Sequence, residues 1–223
     1  MRALHENSRR VLLACLVLVT LAAMIAQQTS SHQRQTSTPY TGDLSIFESP
    51  GREQRLHIDQ VMKALAIASG KNVADIGAGS GWFTARAAKW VTPGGTVYAV
   101  DINPDAIKYI DERIAKDGVH NVKTILSKPD NPLLPADGVD AVLLLKTYHE
   151  VANPVALMRN LRPALRKDAR IGIIDRNGNG ANHGVQKSVV LQEMQRAGYE
   201  LKDEQDDLVK EDNVDYFLVF AAK

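Results

Sequence analysis

Ten residues carry the densest chemical signal in the chain: Val73-Ala74-Asp75-Ile76-Gly77-Ala78-Gly79-Ser80-Gly81-Trp82. An apolar run feeds a turn with three glycines, and a helix is expected to open at about Trp82. Glycine lets the backbone turn sharply and brings N–H groups close to a ligand at a helix start. The G-x-G-x-x-G order of a dinucleotide site needs its third glycine one position later, where this chain has Trp82. Asp75 stands just ahead of the turn, and the next Lys or Arg is Arg86. A carboxylate there repels a pyrophosphate and attracts an ammonium or a sulfonium. Asp75, Gly77, Ala78, Gly79, Gly81 and Trp82 are therefore expected to hold a nucleoside with a cationic tail and no phosphate. Asp101 ends a second apolar run, Thr96–Val100, twenty residues beyond Gly81. A carboxylate so placed can accept two hydrogen bonds from a ribose diol. The competing reading makes Asp101 part of the next helix start, since Asn103-Pro104 is a good one. Ile102, beside it, is placed with the same ligand.

S-adenosylmethionine is a nucleoside of this description. The D-x-G-x-G-x-G order of Asp75–Gly81 resembles motif I of the class I S-adenosylmethionine-dependent methyltransferases. The resemblance runs from about Phe47 to Phe220, in particular to small bacterial members with an export-type leader. Val97–Asp101, Tyr148-His149-Glu150-Val151 and Leu161-Arg162-Pro163-Ala164-Leu165 also carry it. It implies S-adenosylmethionine as cofactor, methyl transfer as the activity, and a seven-stranded sheet ending in a reversed strand. It also implies an acidic residue just after the third strand for the adenine amino group, which falls on Asp130. The chain departs from the family where Asp168-Ala169 replaces the Gly-Gly turn before strand five. The N-P-P-Y signature is absent, since Asn131-Pro132-Leu133-Leu134 lacks the aromatic. That argues against an adenine- or amide-modifying role.

A sulfonium is already a good leaving group, so the protein mainly has to align donor and acceptor and exclude water. His149 is the candidate base, because a histidine titrates near neutrality and this one sits at the expected pocket mouth. Tyr148 is the candidate for orienting the acceptor, and His183, in a Gly/Asn-rich loop, for closing over it. A packing role is the competing reading of each histidine. The rival enzyme class is an NAD(P)-dependent oxidoreductase, which Trp82 and Asp75 oppose. A membrane-tethered module that binds S-adenosylmethionine without catalysis is the other alternative.

Composition narrows the partners. A net charge of +1 and 5% aromatic residues give no support for a nucleic-acid surface. The one cysteine, Cys15, lies in the N-terminal apolar run, so the rest of the chain offers no thiolate metal cluster. No metal ligands are assigned. The expected acceptor is an unidentified small molecule.

The elements that must position these residues alternate. Apolar runs at Asn72–Ile76, Thr96–Val100, Val122–Leu126, Asp140–Leu145 and Arg170–Asp175 read as buried strands. Helical patterns separate them, and Glu200–Glu204 with Tyr216–Ala221 closes as an antiparallel pair. The fold class is α/β: an open, mostly parallel, Rossmann-like sheet of seven strands with helices on both faces. Ligands in such sheets bind beyond the carboxyl ends of the strands, where the strand order switches. The glycine loop, Asp101, Asp130 and Tyr148-His149 all fall at those ends. One helix is expected before the first strand, from about Arg52 to Gly70.

Ahead of this domain, Arg2, Arg9 and Arg10 precede an apolar run, Val11–Ala26. The order is that of an export signal or a short anchor. Sixteen helical residues span about 24 Å, less than the ~30 Å hydrocarbon core. Ser8-Arg9-Arg10-Val11-Leu12-Leu13 resembles a twin-arginine signal. Residues 1–26 are thus expected to be a signal peptide or membrane anchor, 27–45 a flexible linker, and 46–223 the methyltransferase domain. The domain is expected to be periplasmic or tethered to the inner membrane through residues 11–26.

Overall fold

The expected strands form in a computed structural model of the protein, which describes residues 34–223. The expectations for residues 1–26, and for 27–33 of the linker, lie outside the described residues. Among the described residues no helix is long and apolar enough to cross a membrane.

Strands β1 (Val73–Ile76), β2 (Val97–Asp101), β3 (Val122–Leu126), β4 (Val139–Leu145), β5 (Leu165–Asp175), β6 (Tyr199–Glu204) and β7 (Tyr216–Ala222) make one sheet. Its order is β3-β2-β1-β4-β5-β7-β6. The pairs among β1 to β5 are parallel, and β7 runs antiparallel to both β5 and β6. The order reverses between β1 and β4, so their carboxyl ends diverge there and leave a crevice.

Alternate residues of the central strands feed two apolar layers, as the period-2 geometry of a strand requires. Val73, Val97, Ala99 and Leu143 pack with helices α1 (Arg52–Leu56), α2 (Ile58–Ala64), α3 (Trp82–Trp90) and α4 (Pro104–Lys116). Ala74, Ile76, Val100 and Leu144 pack with helices α5 (Pro154–Leu161) and α6 (Lys187–Ala197). Helix α4 starts as its sequence dictates: the Asn103 side chain accepts from the Asp105 N–H, and Pro104 occupies the first turn.

Two expectations are corrected. The single helix before β1 is two short helices, broken at His57 with φ of 45° and finished at Ala64 well short of Gly70. Leu56 and Ile58 are both buried; two positions apart, they cannot share one face of a continuous helix. The break lets both point inward. The linker reading also fails from Arg34 onward. Arg34 donates to the carbonyls of Tyr148 and Val151 and pairs with Glu193. Ser37 is buried and donates to the Gly180 carbonyl. Polar residues that composition assigns to solvent are satisfied here by backbone groups of the domain.

Candidate functional site

The chain leaves β1 between β2 and β4 and must turn at once, which sets the local structure of the glycine loop. Gly77, Gly79 and Gly81 all take left-handed φ, of 75°, 54° and 72°. A Cβ on Gly77 would lie 2.2 Å from Cγ2 of Thr147, which follows β4. The loop N–H groups are not all bare, as the sequence suggested. Those of Gly77 and Ala78 donate to the Val100 carbonyl, and that of Gly79 donates to Asp101 Oδ2 at 2.9 Å. The other Asp101 oxygen accepts from the Asn103 N–H. Asn103, not Asp101, therefore caps α4, and the Asp101 carboxylate stays at the mouth of the crevice. Ile102, beside it, is 43% exposed and lines the same cavity.

Asp75 is buried, and its Oδ2 accepts from both the N–H and the hydroxyl of Thr84, at 3.0 and 2.7 Å. Burial pushes this carboxyl up to about 6. The Thr84 bonds and Arg52 oppose that rise, while the Asp101 charge adds to it. A carboxylate whose burial outweighs these favourable contacts gains from any cation that can reach it. Trp82 is buried, and the guanidinium carbons of Arg52 and Arg86 lie 4.5 and 4.0 Å from its ring centroid.

Across the crevice, β4 is followed by Lys146, with φ of 54°, and by a 3-10 turn, Tyr148–Glu150. His149 is buried and bound twice to Asp175, the last residue of β5. Its N–H donates to Asp175 Oδ2 at 3.0 Å, and its Nδ1 lies 2.8 Å from Asp175 Oδ1. A carboxylate accepts, so Nδ1 carries the proton and Nε2 is left to accept. Asp175 is fully buried and takes a third bond, from the Arg176 N–H. Nε2 of His149 lies 3.8 Å from Glu150 Oε1. The His183 ring stands edge-on to His149 with centroids 5.8 Å apart. Burial pushes Glu150 up to about 7; His149 opposes this, and Asp101 and Asp175 add to it. The Gly/Asn-rich loop holding His183 is braced by an Asn179–Val185 bridge and by Ser37, whose hydroxyl oxygen accepts the His183 N–H at 2.7 Å.

One cavity of about 870 Å³ joins the two halves; Asp75, the glycine loop, Asp101, His149, Glu150 and His183 all line it. Its size is in the range of roughly 300–1,000 Å³ that suits small molecules. Two expected site residues are not brought to it. Asp130 is exposed in a turn closed by a Lys128–Asn131 bridge, and Ser127, Lys128 and Pro129 reach the cavity instead. Asn160 of α5 donates to the Asp130 carbonyl at 2.7 Å, which ties that residue to the outside of the turn. Tyr148 is fully buried on the α5–α6 side of the sheet, beneath Arg34 and near Glu193, with no well-formed hydrogen bond for its hydroxyl among the described residues. The 3-10 turn rotates adjacent side chains apart, so His149 enters the cavity and Tyr148 leaves it.

Sequence reasoning missed Asp175, Glu150 and Thr84. Asp175 was signalled by its place at the carboxyl end of a buried strand, the same argument that picked out Asp101.

A family described as a methyltransferase domain matches residues 67–221, more than half of the chain. The chain is 36% identical over 125 residues to a protein-L-isoaspartate O-methyltransferase of Aeropyrum pernix, covering 53% of this chain and 45% of that protein. It is 30% identical over 107 residues to a demethylmenaquinone methyltransferase of Geobacillus stearothermophilus, covering 42% of this chain and 46% of that protein. The chain thus spans about half the length of these curated relatives. Among solved structures, a SAM dependent methyltransferase from Aquifex aeolicus superposes with a TM-score of 0.69 at 23% identity, covering 81% of this chain and 97% of that one.

Proposed function

We propose, for a chain that belongs to the class I S-adenosylmethionine-dependent methyltransferases, that it transfers a methyl group to a small acceptor whose proton His149 removes. The observation that carries this reading is the His149–Asp175 pair, opening on the same cavity as Asp75, the glycine loop and Asp101. The residues present fit the family's cofactor. A buried carboxylate, Asp75, sits with its charged form disfavoured, and an exposed apolar side chain, Ile102, faces the cavity beside Asp101.

When bound, S-adenosylmethionine supplies a methyl group on a sulfonium that leaves as a neutral thioether. Asp101 receives the ribose diol, Ile102 packs against the base, and Asp75 offsets the positive tail. Gly77 lets the loop turn where any side chain would strike Thr147. Nε2 of His149 takes the acceptor's proton, and Asp175 keeps Nδ1–H in place and stabilises the imidazolium that results. Tyr40 and Phe47, edge to face at 5.5 Å, wall the cavity from the N-terminal side. That enclosure favours a small acceptor over a folded protein. The relatives' names include both kinds, an isoaspartyl protein and a demethylmenaquinone.

Methyl-labelled S-adenosylmethionine incubated with a cell extract tests the reading. Label should enter a low-mass fraction with the intact chain and be lost with His149→Ala. Cofactor binding without label in any fraction would favour the non-catalytic module instead. The periplasmic or membrane-anchored placement belongs to the same proposal and rests on the Arg-first apolar run of residues 1–26. Fractionating cells that express the full chain checks it; domain found only in the cytoplasm refutes it.

A further inference from the structure

We propose that His149, Glu150 and His183 form a site for one divalent transition-metal ion at the acceptor end of the cavity. Each offers one donor atom, and the three donors lie within 4.8 Å of one another. Nε2 of His149 and Oε1 of Glu150 lie 3.8 Å apart. Donors about 2.1 Å from a common ion at tetrahedral angles lie about 3.4 Å apart. The remaining gap is within reach of side-chain rotation at His183, which is exposed.

Two features distinguish this cluster from a chance meeting of polar side chains. His149 is 3% exposed, yet its Nε2 has no hydrogen-bond partner among the described residues and faces the other two donors. Its other nitrogen is held by the buried Asp175. A carboxylate behind a ligating histidine fixes the tautomer, orients the ring and raises its basicity, which is how proteins build such ligands. His183 is in turn held at φ of 55°, a backbone state uncommon outside glycine, with its N–H bound by Ser37.

The donor set selects the ion. Two imidazoles and one carboxylate suit zinc, iron(II) and neighbouring first-row ions, while magnesium and calcium prefer all-oxygen shells. Three protein donors leave a position open, and all three line the cavity. An acceptor with an oxygen or nitrogen donor could occupy it, a role that rests on the methyl-transfer reading. Because a bound ion takes the Nε2 lone pair, His149 acts as a base only in the metal-free protein, and the ion site itself does not depend on that role.

Full-length protein stripped with a chelator and titrated with cobalt(II), followed by its visible absorption, tests the proposal, with zinc as competitor. One equivalent should bind. Glu150→Gln and His183→Ala should each weaken binding at least tenfold, and Asp175→Asn by about 10–100-fold. His120→Ala, at an exposed histidine outside the cavity, should leave it unchanged. Absence of saturable binding up to millimolar cobalt, or unchanged binding in both Glu150→Gln and His183→Ala, overturns the site. S-adenosylhomocysteine binding by the stripped protein is measured alongside. If it is retained while no metal binds, the metal proposal falls and the methyl-transfer reading stands. If it is lost while one metal ion binds through these residues, the reverse holds.

Discussion

Replacing Asp75 by Asn removes the charge on which the cofactor reading turns, and keeps an oxygen that can still accept from Thr84. Burial raises the Asp75 carboxyl from 3.8 to about 6, a shift on the order of 3 kcal/mol at ~1.4 kcal/mol per unit. The sign follows from proton counting. Between about pH 4 and 6 the folded protein keeps a proton that the unfolded chain has lost, so stability from this group falls as pH rises through that window. Above it, the ligand-free domain carries the whole penalty. Asp75→Asn should therefore flatten the decline in melting temperature between pH 4 and 6, while the weaker Thr84 contact lowers stability by ~1 kcal/mol at every pH. A cation in the crevice prefers the ionised form. With a carboxyl titrating at about 6, only about a tenth is ionised at pH 5 and about nine-tenths at pH 7. Titration calorimetry should thus find S-adenosylmethionine bound about tenfold more weakly at pH 5 than at pH 7 by the natural protein. The Asn variant should be weak and flat over the same range. Because other groups titrate nearby, the difference between the two proteins is the quantity that counts. Equal affinities and equal pH profiles would refute the electrostatic argument.

Three further outcomes test other parts of the site. Asp175→Asn should cut kcat about 10²–10⁴-fold while leaving the affinity for S-adenosylhomocysteine within about twofold, because the amide cannot hold both the His149 N–H and its Nδ1–H; an unchanged kcat removes His149 as base. Gly77→Ala places a methyl 2.2 Å from Thr147 Cγ2 in a left-handed conformation, which costs roughly 1–2 kcal/mol before any clash is counted. Calorimetry should show at least a tenfold loss of cofactor affinity, and full affinity would mean the loop rearranges freely. Tyr148→Phe deletes a buried hydroxyl with no well-formed hydrogen bond among the described residues, though Glu193 lies close enough to interact with it. Denaturant unfolding should therefore show stability within about 1 kcal/mol of the natural protein, with methyl transfer unchanged. A drop in transfer would return Tyr148 to the site.

Much of the fold was legible because the central strands are apolar on both faces and the helices between them carry clear starts. Val139–Leu145 and Val97–Asp101 could hardly be other than buried parallel strands. The helix before β1 was harder. Leu56 and Ile58 break helical period, and only the left-handed His57 resolves how both are buried. At Asp168 the sequence flagged a departure from glycine whose consequence the fold makes plain: the residue takes φ of 64°, a state that aspartate tolerates better than most side chains. Residues 34–45 were misread because composition reports only that a segment is polar. It does not report that carbonyls at Tyr148, Val151 and Gly180 lie waiting for Arg34 and Ser37.

The site divides along the same physical line. Asp75, the glycines and Asp101 are tied by spacing within a single strand–turn–helix–strand run, so one local pattern places them all. The His149–Asp175 pair spans 26 positions and exists only because β4 and β5 run parallel in one register from Ala141 onward, with Leu145 beside Ile174. That register sets the next residue of β5, Asp175, level with the start of the turn that carries His149. A shift of one residue would carry the carboxylate to the other face of the sheet, and His149 would be a buried imidazole without an acceptor for Nδ1–H. The same register decides Tyr148: with His149 fixed toward Asp175, its neighbour in the tight turn must point to the opposite layer, where Arg34 covers its ring. Adjacent residues that look equally chemical in sequence are thus separated by a sheet register that no local spacing encodes.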